Sequence, residues 1–362
     1  MNRSAHDLAF STGKASVVVK RRASFVACLL ATGSLFLQPA VAQAQSFRVL
    51  YPFNSNTDGY SAQAGLLQAS NGLFYGATGY YLRGSGAFFV FRDWGDLLFP
   101  RPWRGAAFNC STALIQGADG RLYGTDTDGG KYGFGDVFAL DPVADTFTSV
   151  YDFTNGSDGA FPVNGVVQGS DGRLYGATIE GPNGVSGDGT LYAVSTSGAF
   201  SLLYTFVGAS DGTEVRGRLI QASDGNLYGA AYGGGAFGRG TVFKCSTSGT
   251  FQVLHSFTGG SDGYSPYSGL LQASDGNMYG VNSSTIYSID PTGQFAVTYH
   301  GLYGQNSSLS QASNGLLYGT CSVGGYYKNG CVYSVDEAGL LETVYSFTSL
   351  DPQGVNVDGE YP

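Results

Sequence analysis

Histidine is scarce: the 362 residues hold three, and only His255 and His300 lie beyond residue 44. No Cys/His cluster with metal-ligand spacing surrounds either one, so the sequence offers no zinc-type centre. Basic residues are scarce too. Setting aside the five Lys/Arg and one Asp of residues 1–44 leaves 13 basic side chains against 26 acidic ones, a net charge of −13 with His neutral. That balance opposes nonspecific binding to nucleic acid or anionic lipid. No apolar run beyond residue 44 is long enough to read as a membrane span. Also missing are a Gly-x-Ser-x-Gly elbow, a phosphate loop and a dinucleotide fingerprint opening a helix. Motif-level support for catalysis is absent.

What the chain has is glycine, at 57 residues, together with 14% aromatics. A disordered Gly-rich chain would lack the aromatics; a turn-dense β protein needs both. The organising stretch is Gly269–Gly280, GLLQASDGNMYG, and six copies recur with their central residue at Asn71, Asp119, Asp171, Asp224, Asp275 and Asn314. Each copy reads as a short apolar strand ending in Gln, an Asp-Gly or Asn-Gly turn, and a second strand centred on Tyr-Gly. Such dipeptides favour type I′ hairpin turns, which need positive φ at both central residues. The turns are spaced 48, 52, 53, 51 and 39 residues apart. A period near 50 is that of a propeller blade with four antiparallel strands.

The N-terminus carries targeting chemistry. Lys20, Arg21 and Arg22 precede an apolar run from Ala23 to Leu37, followed by small residues through Ala44. A basic n-region, a short h-region and a small-x-small exit are the parts of a secretory signal peptide. Cleavage after Ala42 or Ala44 is expected, placing the protein in the periplasm, at the cell surface or outside the cell. Residues 1–44 are therefore assigned to the leader and 45–362 to a single repeat domain.

Copy four sets out the expected blade: Gly217–Ser223, a tight turn, Asn226–Ala231, the Gly-rich loop Tyr232–Gly240, Thr241–Ser246, a short turn, and Thr250–Phe257. The last strand alternates Phe251, Val253, His255 and Phe257 with other residues, the period of two of a strand. His255 takes the place held by Tyr51, Tyr151, Tyr204 and Tyr345 in sister strands, which makes it a packing residue. Successive strands reverse direction, so the two long loops of each blade, Gly-rich and Ser-Asp-Gly, share one face of the disc. Longer loops on a rigid scaffold are where binding is expected. The fold expected is all-β, a β-propeller of six four-stranded antiparallel blades, with seven blades, one incomplete, as the alternative. FRVLYPF (47–53), DLLFPRPW (96–103) and the tail Tyr345–Pro362 leave that count open, because FRVLYPF and LETVYSF (341–347) compete for one closing slot.

The repeated Gly-Leu-x-Gln-(Ala/Gly)-x-(Asp/Asn)-Gly-x-Leu-Tyr-Gly, followed by Gly-Gly and Gly-Thr-Val-Phe, resembles the GloVer tandem repeat of choice-of-anchor bacterial proteins. It is clearest over Gly217–Lys244 and recurs in degraded form from about Phe47 to the end. The resemblance implies an exported, surface-associated protein and no particular activity. No C-terminal anchor or sorting motif is visible.

The candidate binding residues lie in the Gly-rich loops: Tyr80, Tyr81 and Arg83 in copy one; Lys131, Tyr132 and Phe134 in copy two; Phe237 and Arg239 in copy four; Tyr326, Tyr327 and Lys328 in copy six. Aromatic faces beside polar loops suit sugar rings or partner surfaces, although such rings also cover loop bases. No catalytic residue and no resident cofactor is assigned. Ca²⁺ is kept open at Asp58, Asp158, Asp211 and Asp262, but they stand one per blade, as turn residues do. Cys321 and Cys331 flank the copy-six loop at positions matching Asp126 and Asp136 of copy two. Opposed positions at a hairpin base allow a disulfide in an oxidising compartment. The function expected is an exported, non-catalytic binding or structural module with a glycan or protein ligand; a glycan-active or lyase-type enzyme is the alternative.

Overall fold

The computed structural model describes residues 8–12, 15–19, 49–52, 65–78, 87–92, 97–102, 113–184, 188–302, 304 and 307–348. Six four-stranded antiparallel sheets follow one another along the chain and stand in a ring, a six-bladed β-propeller. Blade four is representative: Ile220–Gln221, Leu227–Ala231, Thr241–Cys245 and Phe251–Ser256 pair in chain order. The open question over the fourth strands resolves cleanly. Leu97–Pro102 closes blade one and Leu341–Ser346 closes blade six. Val49–Pro52 lies instead in a separate three-stranded sheet with Leu8–Thr12 and Ala15–Val19. Residues assigned to the leader thus pair with the first strand beyond it.

The inner strands are shorter than the apolar pattern suggests, two residues in every blade but the third. Chain segments crowd where the blades converge. A Cβ on Gly217 would lie 2.5 Å from Gly269 N, and one on Gly165 would lie 2.5 Å from Ala113 O. Backbones this close leave little room for a long ladder.

The motif's Tyr-Gly has a packing cause. In blade four a Cβ on Gly229 would lie 2.6 Å from Phe243 Cζ and 2.7 Å from Leu219 Cδ2. The third-strand ring rests its tip on this bare backbone. The same holds for Phe89 on Gly76, Phe138 on Gly124 and Tyr287 on Gly280. Glycine is needed there because nothing larger fits beneath a close-packed ring.

The motif's Gln joins neighbouring blades. Gln272 Oε1 accepts from Ser223 N of the preceding blade at 2.8 Å, while its Nε2 donates to Gly276 O of its own turn at 3.1 Å. Gln116, Gln168, Gln221 and Gln311 make the same pair of bonds. Fourth strands add a second joint: Tyr204 stacks on Phe251 at 3.9 Å, Tyr151 on Phe200 at 4.5 Å and His255 on Phe295 at 3.8 Å. His255 therefore fills a tyrosine's packing place. The apolar core accordingly lies between blades, as in the cluster that joins Leu191 of blade three to Phe243 of blade four.

Candidate functional site

The long-loop face carries exposed aromatic residues in alternate blades. Tyr132 of blade two is 50% exposed, Phe237 of blade four 60%, and Tyr326 of blade six 85%. Lys131 Nζ sits 5.0 Å from the Tyr132 ring centre, and Tyr326 meets Tyr327 edge to face at 4.9 Å. Arg239 and Lys328 are exposed beside these rings. Exposed rings cost free energy in water unless something covers them, and here they crown loops held by tight backbone bonds such as Gly240 N to Gly234 O. Phe134 behaves differently. It packs against the core cluster of blades two and three and meets Phe161 at 6.1 Å, so it props the loop base. Tyr80, Tyr81 and Arg83 lie outside the described residues.

The Ser-Asp-Gly carboxylates are engaged by their own loops. Asp158 accepts from Tyr151 Oη at 3.0 Å, Thr154 N at 2.9 Å and Gly156 N at 3.1 Å. Asp211 accepts from Tyr204 Oη at 2.6 Å and Val207 N at 3.1 Å. Asp262 contacts His255 Nε2 at 3.1 Å and accepts from Thr258 N at 2.9 Å. Each carboxylate reaches back to N–H groups two or four residues before it and to a fourth-strand side chain, rather than to the N–H two residues on as in an Asx-type turn, and so ties the end of the strand to its loop. Asp58 lies outside the described residues. Among the described residues no three His, Cys, Asp or Glu side chains converge on a metal position.

One register position at the base of the Gly-rich loop is filled differently from blade to blade. In blade six Cys321 and Cys331 are joined as a disulfide, with Cα atoms 5.4 Å apart. In blade three Thr178 and Thr190 share a hydroxyl hydrogen bond of 2.8 Å. In blade two the pair is Asp126 and Asp136, both buried, with Asp126 Oδ2 and Asp136 Oδ1 lacking a partner. Burial, with repulsion from Asp136, pushes the Asp126 carboxyl up to about 8. Burial, with repulsion from Asp152 on the next strand, pushes Asp136 up to about 7. Cys245 is a free, buried thiol raised to about 11 by desolvation, whereas Cys110 lies outside the described residues.

At the axial mouth, blades four and five place a polar cluster that the loop-by-loop sequence reading missed. Arg216 lies over the Tyr232 ring at 4.4 Å and is paired with Glu214. The Tyr232 and Tyr267 rings pack with centroids 4.9 Å apart. Two residues beyond Arg216, Arg218 lies just before the innermost strand, Ile220–Gln221. Aligning the copies on their Gln exposes it: the matching positions are Gly65, Ala113, Gly165, Gly269 and Ser308. A single long cation among five small residues is a break in repeat symmetry.

This architecture defines the protein as a β-propeller. The Gloeobacter/Verrucomicrobia repeat profile matches residues 101–284, just over half of the sequence, and the chain belongs to that repeat family. No curated protein matches. Several solved propellers share the fold. A protein from Bacteroides uniformis, provisionally classed as a 6-phosphogluconolactonase, aligns with TM-score 0.57 and 16% identity over 98% of both chains. Oligogalacturonate lyase from Vibrio parahaemolyticus aligns with TM-score 0.54 and 12% identity over 99% of this chain and 89% of that one. The extracellular domain of a provisionally assigned hybrid two-component system of B. thetaiotaomicron gives TM-score 0.54 and 12% identity over 96% of this chain and 49% of that one. At such identities the likeness is one of fold.

Proposed function

We propose that this protein is an exported, non-catalytic binding module that engages a glycan or protein partner through its long-loop face, glycan being the first class to test. The observation that carries this reading is the set of exposed aromatic loop tips, Tyr132, Phe237, Tyr326 and Tyr327, on one face of a rigid ring. Aromatic rings with a polar edge supply large contact area at little conformational cost, which suits the faces of sugar rings. The loop carboxylates, by contrast, are spent on their own turns. A fold shared with a provisionally classed lactonase, a lyase and the extracellular domain of a two-component system decides nothing between these roles. Export rests on the basic, apolar and small-residue segments before residue 45. No helix among the described residues is long and apolar enough to cross a membrane.

The test is a glycan array probed with purified protein, wild type beside Tyr326→Ala/Tyr327→Ala. Both rings are solvent-facing, so the variant should fold with little change in stability. Retention on at least one glycan class, weakened tenfold or more in the variant, is the expected result. Equal retention by the two proteins contradicts the reading.

A further inference from the structure

We infer that Arg218 forms, at the axial mouth, a binding site for a carboxylate-bearing sugar, distinct from the aromatic loop tips. Arg218 is half-buried where the inner segments of the blades converge. Its backbone abuts blade five, since a Cβ on Gly269 would lie 2.9 Å from Arg218 O and 3.3 Å from Arg218 N. The next inner segment is tied in by Gly269 N, which donates to Ser308 Oγ at 3.1 Å. The residues matching Arg218 in the other five copies are Gly, Ala or Ser, and none can neutralise a guanidinium.

The charge at this mouth is unbalanced. Arg216 is paired with Glu214, and in the tight turns of the opposite face Arg121 is paired with Asp119 and Arg173 with Asp171, each two residues away in sequence. Among the described residues Arg218 has no carboxylate and no hydrogen-bond acceptor. Desolvation alone acts on it, lowering its affinity for the proton with no anion to offset the loss. Burying a cation is costly unless it is paired, and the side chain's fork of donors matches a planar carboxylate. One unpaired positive charge suits one carboxylate better than a dianionic phosphate. The Tyr267 ring and the Ser308 hydroxyl belong to the segments that lead into the inner strands of the next two blades, and an aromatic face with hydroxyls is what a sugar ring packs against. The ligand class is therefore a sugar acid. None of the loop-tip residues takes part, so either proposal can fail while the other stands.

Calorimetric titration of the full chain with D-galacturonate tests the assignment, with D-galactose, acetate and inorganic phosphate as the other arms. Galacturonate should bind, galactose at least tenfold more weakly or not at all, and acetate more weakly than galacturonate because it lacks the ring. Arg218→Gln should weaken galacturonate tenfold or more while its thermal midpoint stays equal to or above wild type, since an unpaired, desolvated charge has been removed. Galacturonate and galactose binding alike, phosphate binding more tightly than galacturonate, or no acid binding at all would overturn the proposal. So would a folded Arg218→Gln with unchanged affinity. A fall in the Arg218→Gln midpoint without ligand would assign Arg218 to structure instead.

Discussion

Blade two stores two carboxyls where blade six holds a disulfide, and the difference sets a pH dependence at the scale of single residues. Unfolded, both Asp126 and Asp136 titrate near 4; folded, they sit at about 8 and about 7. From about pH 4 to about pH 8 the folded state thus holds protons that the unfolded state has released. The pair's contribution to stability is fullest below the unfolded value and is lost as pH rises through the folded ones. Asp136→Asn removes one charge from the buried pair. Its thermal midpoint should exceed that of wild type at pH 8, and its midpoint should fall less between pH 5 and pH 8. Parallel profiles would show that the pair does not titrate as described. The sequence paired these positions with Cys321 and Cys331, so their opposition was legible. Their missing hydrogen-bond partners were not, because partners come from packing between strands and no local pattern encodes them. Arg218 was legible in principle from the copies aligned on Gln, but a reading by loops passed over the inner strand.

At the scale of the element, every constant letter of the repeat has a contact to explain it. The position of the turn was evident from local chemistry, but its type was not. Gly225 stands at φ 81° while Asp224 does not take positive φ, and Gly225 N donates to Ala222 O. Ser223 and Asp224 are thus the central pair of a three-residue loop closed by a left-handed glycine, rather than Asp-Gly forming a type I′ turn. Asp224 Oδ1 accepts from Asn226 N. A second role of this residue was hidden, since Asp224 Oδ2 accepts from Tyr228 Oη at 2.7 Å and so pins the ring of the Tyr-Gly strand. The roles of Gln and of the motif glycine were also hidden, because each acts on a distant part of the chain. Gly229→Ala would press a methyl into Phe243 and Leu219, and overpacking of this kind typically costs about 1–3 kcal/mol. Urea unfolding should register that loss, whereas Gly225→Ala should be destabilised through its positive φ alone, since nothing lies within 4 Å of the position its methyl would take. A neutral Gly229→Ala would break the packing account. The Cys321–Cys331 bond closes a short span of 10 residues. Its removal by Cys321→Ser/Cys331→Ser should cost about 2–3 kcal/mol on the loop-entropy estimate, read as a lower urea midpoint than the oxidised protein.

For the whole molecule, strand reversal and loop lengths foretold the ring and its loop-rich face, since both follow from a 50-residue period and short alternating turns. How the ring closes was beyond the sequence. Five of the blade junctions carry the Gln bond, but Gln68 is exposed and, among the described residues, no such bond links blade six to blade one. Two fourth-strand segments, FRVLYPF (47–53) and LETVYSF (341–347), competed for the closing slot, and the outcome depends on long-range pairing that a repeat motif does not record. A rigid ring with one aromatic face makes binding the central claim, and a ligand that binds only the folded state raises its apparent stability, by about 2.7 kcal/mol at a hundred times Kd. The most direct measurement is the thermal midpoint of purified residues 45–362 across a glycan panel, beside Tyr326→Ala/Tyr327→Ala. The account predicts a concentration-dependent rise with at least one glycan class that the double variant loses. No rise with any glycan, or the same rise in the variant, would contradict it.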